Sequence, residues 1–254
     1  MTSMKNNDSM ISLLRRAARR TLGLGLTAGL LIGGLEQSVA QETPSDPVSA
    51  AESPDWPIVY STDFENGAEG WVPTEPEGWE VRAEGEGHAY HQHVKAASYQ
   101  PPVRSPHHIS WLEEVEVGSF QLDVRVRSTH PDYAHRDACL FFGRQDSSHF
   151  YYVHLGKAMD DHANQIFIVD GSPRTKISTK TTEGTPWDDE WHHVRIIRDV
   201  ESGRIEVYFD DMNEPAMVAE NATFKSGPIG LGSFDDTTAW DDLQLRGERI
   251  DEDR

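Results

Sequence analysis

The chain has 254 residues, with 43 Asp plus Glu against 23 Lys plus Arg, a formal charge of −20 and a hydrophobic fraction of 37%. That charge argues against broad binding to nucleic acid or an anionic membrane, both of which need basic surface, while nine Phe, seven Trp and seven Tyr supply enough apolar bulk for a folded core. A single cysteine, Cys139, excludes an internal disulfide and every multi-cysteine metal arrangement, and the 12 histidines all fall between His88 and His193.

Residues 1–40 read as an export signal. Arg15, Arg16, Arg19 and Arg20 precede the apolar run Thr21 to Leu35, and Ser38-Val39-Ala40 forms a small-residue cleavage site. The run is shorter than the roughly 20 residues a membrane span needs, and no later segment approaches that length. Arg19-Arg20-Thr21-Leu22 also fits a twin-arginine signal loosely, so the export route stays open, but either route predicts a secreted or periplasmic protein. Cleavage after Ala40 leaves 18 basic against 41 acidic residues, a formal charge of −23. Residues 41–55, with Pro44, Pro47 and Pro54, read as a flexible leader. Residues 56–247 form one domain, and 248–254 an acidic tail that frays.

From Trp56 onward the hydrophobic pattern alternates at period 2, with turn residues every 8 to 15 positions. The clearest strand is Phe120 to Arg127, with Phe120, Leu122, Val124 and Val126 on one face and Gln121, Asp123, Arg125 and Arg127 on the other. Further strands are read at Ala138 to Gly143, His149 to Leu155, Gln165 to Asp170, Arg174 to Lys180 and Trp191 to Asp199. Arg204 to Asp210, with Ile205, Val207 and Phe209 inward and Glu206 and Tyr208 outward, is followed by Pro228 to Ser233 and Ala239 to Arg246. About a dozen short strands without intervening helices predict an all-β fold, a two-sheet antiparallel sandwich or jelly roll.

Trp191-His192-His193-Val194-Arg195 followed by Gly203 to Asp211, and Gly230-Leu231-Gly232-Ser233-Phe234 leading to Trp240 to Leu245, carry a resemblance. These stretches resemble the paired and closing strands of the concanavalin A-like lectin/glucanase superfamily, including its laminin-G-like and 3-keto-disaccharide hydrolase-like domains. The resemblance implies a jelly roll whose partner is a polysaccharide or other glycan, laid across the concave face of one sheet. Protein partners are not implied. Because the superfamily holds lectins, hydrolases, lyases and adhesion modules alike, it does not by itself choose among them.

The outward residues of the central strands are therefore the candidate site. Core-facing Val153 and Leu155 leave Phe150, Tyr152 and His154 toward the groove, and Ile166 and Ile168 leave Gln165 and Phe167. Arg125, Arg127, Arg174, Lys176 and Lys180 add positive charge suited to an anionic glycan. Binding is favoured over catalysis, since no catalytic signature is intact. If the face is catalytic, hydrolysis needs two carboxylates roughly 5–10 Å apart, with Asp123 and Asp137 as members, although the Glu-x-Asp-x-x-Glu strand of laminarinase-type hydrolases is absent. A uronate lyase instead needs a base, an acid and a carboxylate neutraliser, which Tyr152, His154, Arg125 and Gln165 can fill. The segment Asp132 to Asp137 offers His135 and Arg136 to a ligand, or forms a hydrogen-bonded corner. His91 and His93, with His107-His108 or His135, have spacing that permits a transition metal without requiring one. The resemblance also implies structural Ca²⁺ on oxygen ligands, here Asp242 with backbone from Asp63 to Gly70. Cys139 reads as a small buried apolar residue.

Overall fold

The computed structural model describes residues 55–250; the export signal, the leader before Asp55 and the last four residues of the expected tail lie outside them. Alternating apolar residues need a second layer to bury against, and the described chain meets that need with two antiparallel sheets. In chain order the strands are β1 Ile58–Thr62, β2 Trp71–Pro73, β3 Trp79–Glu84, β4 Gly87–Gln92, β5 His108–Leu112, β6 Val117–Ser128, β7 Asp137–Asp146 and β8 His149–Gly156, then β9 Gln165–Asp170, β10 Thr175–Lys176, β11 Ser178–Lys180, β12 His192–Arg198, β13 Arg204–Phe209, β14 Met217–Glu220, β15 Gly230–Ser233 and β16 Thr238–Arg249. One short 3-10 turn, Pro76–Gly78, precedes β3. Among the described residues no helix is long and apolar enough to cross a membrane.

The nine-stranded sheet runs β11-β14-β13-β12-β6-β16-β4-β3, with β1 also on β16, and the seven-stranded sheet runs β10-β9-β8-β7-β15-β5-β2. This is the jelly-roll sandwich that the alternation predicts. Strand β6 shows why: Phe120, Leu122, Val124 and Val126 all join the core between the sheets, as do Leu140, Val153, Leu155, Ile166, Val194, Ile196, Val207 and Leu245. Each large apolar side chain so buried contributes about 1.5–3 kcal/mol of transfer free energy.

Three sequence expectations change in detail. The strand expected over Arg174 to Lys180 is broken at Ile177, which turns its side chain against the core, so that β10 pairs with β9 in one sheet and β11 with β14 in the other. Glu206 and Tyr208 face away from the core but are only 6% and 3% exposed, because the Tyr208 hydroxyl donates to Glu206 Oε2 at 3.0 Å and Arg204 closes over the same carboxylate. The last strand also runs two residues into the expected tail, with Arg249 opposite Val117.

Strand β16 is shared along one edge by two neighbours: Thr238 to Trp240 pair with β4 and Leu243 to Arg246 with β1. The changeover falls at a register shift between Asp241 and Gln244, where Asp242 adopts φ 46°.

Candidate functional site

The outer face of the seven-stranded sheet is as apolar as its inner face. Ile109, Trp111, Cys139, Phe141, Phe150, Tyr152, Phe167 and Val169 form a second buried cluster there, with Val103 and Phe234 packed against it. Strand register builds it, since Phe141 lies opposite Tyr152 and Tyr152 opposite Phe167. Their rings stack with centroids 5.8 and 5.0 Å apart. On the far side of β7, Trp111 and Phe141 flank Gly230, which has no Cβ to separate them, and the two rings meet at 5.6 Å.

The segment between β4 and β5 lies against this face. Glu75 anchors its start, accepting from the Ser98 backbone and hydroxyl and, at 3.0 Å, from the Tyr99 N–H; although burial opposes it, these bonds hold the Glu75 carboxyl below its ordinary value. Farther along, Val103 packs on the aromatic cluster, the Arg174 N–H donates to the Arg104 carbonyl at 3.1 Å, and the His107 N–H donates to the Phe234 carbonyl at 3.1 Å. The Arg174 guanidinium sits 5.0 Å over Phe167 and 4.3 Å over Phe234, and donates to the Tyr152 hydroxyl at 3.1 Å and the His162 carbonyl at 3.0 Å.

These contacts decide where the sequence candidates stand. Tyr152, His154 and Gln165 do face away from the core, but they are 0%, 5% and 3% exposed, out of reach of a polymer. Burial holds the Tyr152 phenol far above its ordinary pKa, and the Gln165 amide is spent on the Asp160 carbonyl at 3.0 Å. Arg125 and Arg127 stand on the other sheet, so the four lyase candidates do not meet. The expected basic cluster is also neutralised: Arg125 pairs with Asp242 at 3.2 Å, Arg127 with Glu84 at 2.9 Å, Lys176 with Asp161 at 2.6 Å and Lys180 with Glu214 at 2.7 Å. Both arginines stack instead on Trp191, at 5.3 and 5.2 Å.

The hydrolase pair is likewise dispersed. Asp123 is held by Arg195 Nε at 2.7 Å and His193 Nε2 at 2.8 Å on the nine-stranded sheet, whereas Asp137 is buried on the seven-stranded one. Arg136 is 1% exposed and makes the hydrogen-bonded corner, donating to the Ser128 hydroxyl at 2.8 Å, the Ser128 carbonyl at 2.6 Å and Asp189 at 2.9 Å. His135 is exposed beside it. The histidine set around His91 and His93 does not assemble: among the described residues, the one group of three that brings potential metal donors together is Asp137, Cys139 and His154, within 4.8 Å of one another.

Several recesses open to solvent on these elements, one of them bringing His91 and His93 beside Arg82, Glu84 and Arg127, and two others carry carboxylates beside polar side chains. A groove of about 350 Å³ lies where the aromatic face emerges from beneath the covering segment, lined by Val72, Thr74, Tyr99, Trp111, Glu113, Arg144, Asp146 and Phe150. Arg144 lies 4.8 Å over the Trp111 ring and donates to Glu113 at 2.6 Å. No motif marks these residues; Phe150 is expected at the groove from its alternation with Val153 and Leu155, Trp111 alternates with Ile109, and the others carry no period-2 signal. The second recess, about 500 Å³ and shallow, is lined by Ser61, Thr62, Asp63, Asp242, Leu243 and Gln244 at the β16 register shift. Beside it, burial and then the charges of Asp242 and Asp63 raise the Asp241 carboxyl.

No family model and no curated protein matches the chain. Solved structures do. The carbohydrate-binding module CBM66 from Bacillus subtilis aligns over 70% of this chain and 96% of its own at 15% identity and a TM-score of 0.50. A Bacillus subtilis protein of unknown function with a galectin-like fold aligns over 76% and 96% at 11% identity and a TM-score of 0.49. Domain 4 of AbnA, an extracellular arabinanase from Geobacillus stearothermophilus solved with arabinotriose, aligns over 77% and 95% at 12% identity and a TM-score of 0.49. At such identities the likeness is one of fold alone, a two-sheet jelly roll.

Proposed function

We propose that this chain is an exported glycan-binding domain, and that it holds a neutral saccharide in the groove formed by Tyr99, Trp111, Glu113, Arg144, Asp146 and Phe150. The observation that carries this reading is the groove's make-up: the part-exposed ring of Tyr99 beside a floor in which Trp111 and Phe150 are 5% and 1% exposed, with a rim of two carboxylates and one guanidinium. Aromatic faces stack on the C–H faces of sugar rings, and planar carboxylate and guanidinium groups bond paired hydroxyls. The likeness to a carbohydrate-binding module favours a sugar over other small polar ligands. A neutral sugar is favoured over a uronate because Arg144 is already paired with Glu113 and the whole chain carries −20. Binding is favoured over cleavage because Tyr152, His154 and Asp137 are buried while Asp123 is held in ion pairs. The test is retention on immobilised neutral and uronic polysaccharides, with Tyr99→Ala and Asp146→Asn beside the parent chain. Retention on neutral polymers, weakened about 3- to 10-fold by Tyr99→Ala, is the expected result. Retention that both substitutions leave unchanged overturns the assignment to this groove.

The residues at the β16 register shift suit a hard cation. Asp63 and Asp242, with backbone oxygens of the same recess, offer an all-oxygen donor set of the kind calcium takes, and a third carboxyl, Asp241, raised chiefly by burial, stands beside them. The ion would tie the turn after β1 to the last strand, with Arg125 released from Asp242.

A further inference from the structure

Strand β7 has Asp146 in the open groove at one end and a second, buried constellation at the other. Asp137 and Cys139, two residues apart, share the outer face of β7, and Cys139 lies directly opposite His154 on β8. Two residues on one strand and one on its neighbour thus bring a carboxylate, a thiol and an imidazole together by backbone register alone. All three are nearly inaccessible, at 2%, 0% and 5% exposure.

The imidazole is oriented. His154 Nδ1 lies 3.0 Å from the His162 carbonyl oxygen, which can only accept, so Nδ1 donates and Nε2 is the nitrogen left to hold a proton or a metal ion. Nε2 is buried without a hydrogen-bond partner and points at Asp137 Oδ2, 3.5 Å away. A lone pair facing a carboxylate oxygen at that distance is unfavourable unless a proton or a metal ion lies between them. On the other carboxylate oxygen, Cys139 Sγ is 4.0 Å from Asp137 Oδ1, which also accepts the Phe234 N–H at 2.9 Å. Donors around a tetrahedral zinc ion stand about 3.3–3.8 Å apart; the His154–Asp137 pair lies in that range, and all three donors lie within 4.8 Å of one another.

The local charge points the same way. Fully buried Asp236 accepts the Asp137 N–H at 2.9 Å, which places a second carboxylate beside the site. Lys95 Nζ lies 3.7 Å and His130 Nε2 3.6 Å from Asp236. The Cys139 thiol is fully buried, and a metal bound there would take the place of the proton on sulfur.

We propose that Asp137, Cys139 and His154 form a buried site for a thiolate-accepting divalent transition metal, Zn²⁺ foremost. One sulfur, one imidazole and one carboxylate select a borderline ion over Ca²⁺ or Mg²⁺, and the His162 carbonyl is the outer partner that fixes the tautomer. A buried water completes the tetrahedron. Each ligand proton lost leaves with the metal's entry, the thiol proton to solvent. Because the site is closed, the metal enters as the chain folds.

The test unfolds the full chain in chelator and denaturant and refolds it with Co²⁺ as a spectroscopic substitute, with Zn²⁺, or with neither. The expected result is one cobalt per chain with thiolate-to-cobalt charge transfer in the near ultraviolet, and a melting temperature that rises with Zn²⁺ concentration. Cys139→Ser, which keeps the shape and a bond to Asp137, removes the charge-transfer band and weakens metal uptake by more than about tenfold. The parent spectrum alone reports sulfur ligation, so the proposal stays testable if a variant does not fold. Refolded parent chain that takes up no cobalt, or cobalt absorption that Cys139→Ser leaves unchanged, overturns it.

Discussion

His91 is 4% exposed on β4, with Glu84 Oε2 3.4 Å from its Nε2. Burial, reinforced by the Arg82 and Arg127 charges, pushes its pKa down to about 4. An unfolded chain titrates the same ring near 6.5. Above about 6.5 neither state is protonated there and the group is neutral in its effect; as pH falls below that value the unfolded chain takes up a proton that the folded one refuses. Stability therefore declines with acidification between about 6.5 and 4, by up to ~1.4 kcal/mol per pH unit. His91→Gln removes the titration, and urea unfolding followed across that window is expected to show a slope smaller by about one proton. An unchanged slope would mean that the ring is hydrated in the folded state. His108, whose pKa is also lowered by burial, contributes a parallel loss that the His91 variant leaves in place.

At the scale of elements, β15 contributes what it lacks. Gly230 stands between Trp111 and Phe141, and an added Cβ would meet the Ser110 carbonyl oxygen at 3.0 Å, Trp111 Cε3 at 3.0 Å and Phe141 Cβ at 3.3 Å. Backbone cannot yield cheaply, so Gly230→Ala is expected to cost about 1–3 kcal/mol and to tilt Trp111 in the groove floor. Gly118→Ala is the control: its Cβ would meet only ordinary contacts at 3.5 Å and beyond, and a change within ~0.5 kcal/mol is expected. Chemical denaturation separates the two, and equal costs would show that the Trp111–Phe141 contact does not constrain β15. The same sheet explains where sequence reading stopped. Along β6 one face is polar, so Phe120, Leu122, Val124 and Val126 declare themselves. Along β7 and β8 both faces are buried, and period 2 disappears into the runs Ala138 to Phe142 and Phe150 to Leu155. The direction of Tyr152 and His154 was legible from Val153 and Leu155. Their burial was not, because what covers them, Arg174 on Tyr152, the His162 carbonyl and Phe234 on His154, and Val103 on the cluster, comes from separate stretches of chain with no apolar period. Nor was the meeting of Cys139 with His154, which depends on the register shift between Phe142 and Asp146.

For the molecule as a whole, the fold class was legible because alternation extends through most of the described strands, while the site required knowing which sheet each polar residue joins. Charge is the remaining whole-chain property. Forty-three acids against 23 basic residues leave a surplus that ion pairs such as Arg127–Glu84 and Lys180–Glu214 cannot absorb, and self-repulsion of this kind weakens the compact state. A cation held by Asp63 and Asp242 would relieve it where it also joins the first described strand to the last. Two effects then separate. Added monovalent salt screens exposed charge everywhere and is expected to raise the melting temperature in parent and Asp242→Asn alike. Calcium in the same ionic strength is expected to stabilise the parent further, a gain that chelator reverses and Asp242→Asn abolishes; at a free concentration one hundred times its dissociation constant, the gain is about 2.7 kcal/mol. Equal stabilisation of parent and variant by calcium would assign its effect to screening and remove the ion from the β16 register shift. The buried Asp137–Cys139–His154 group would be untouched by that result, because its donors select a different class of metal.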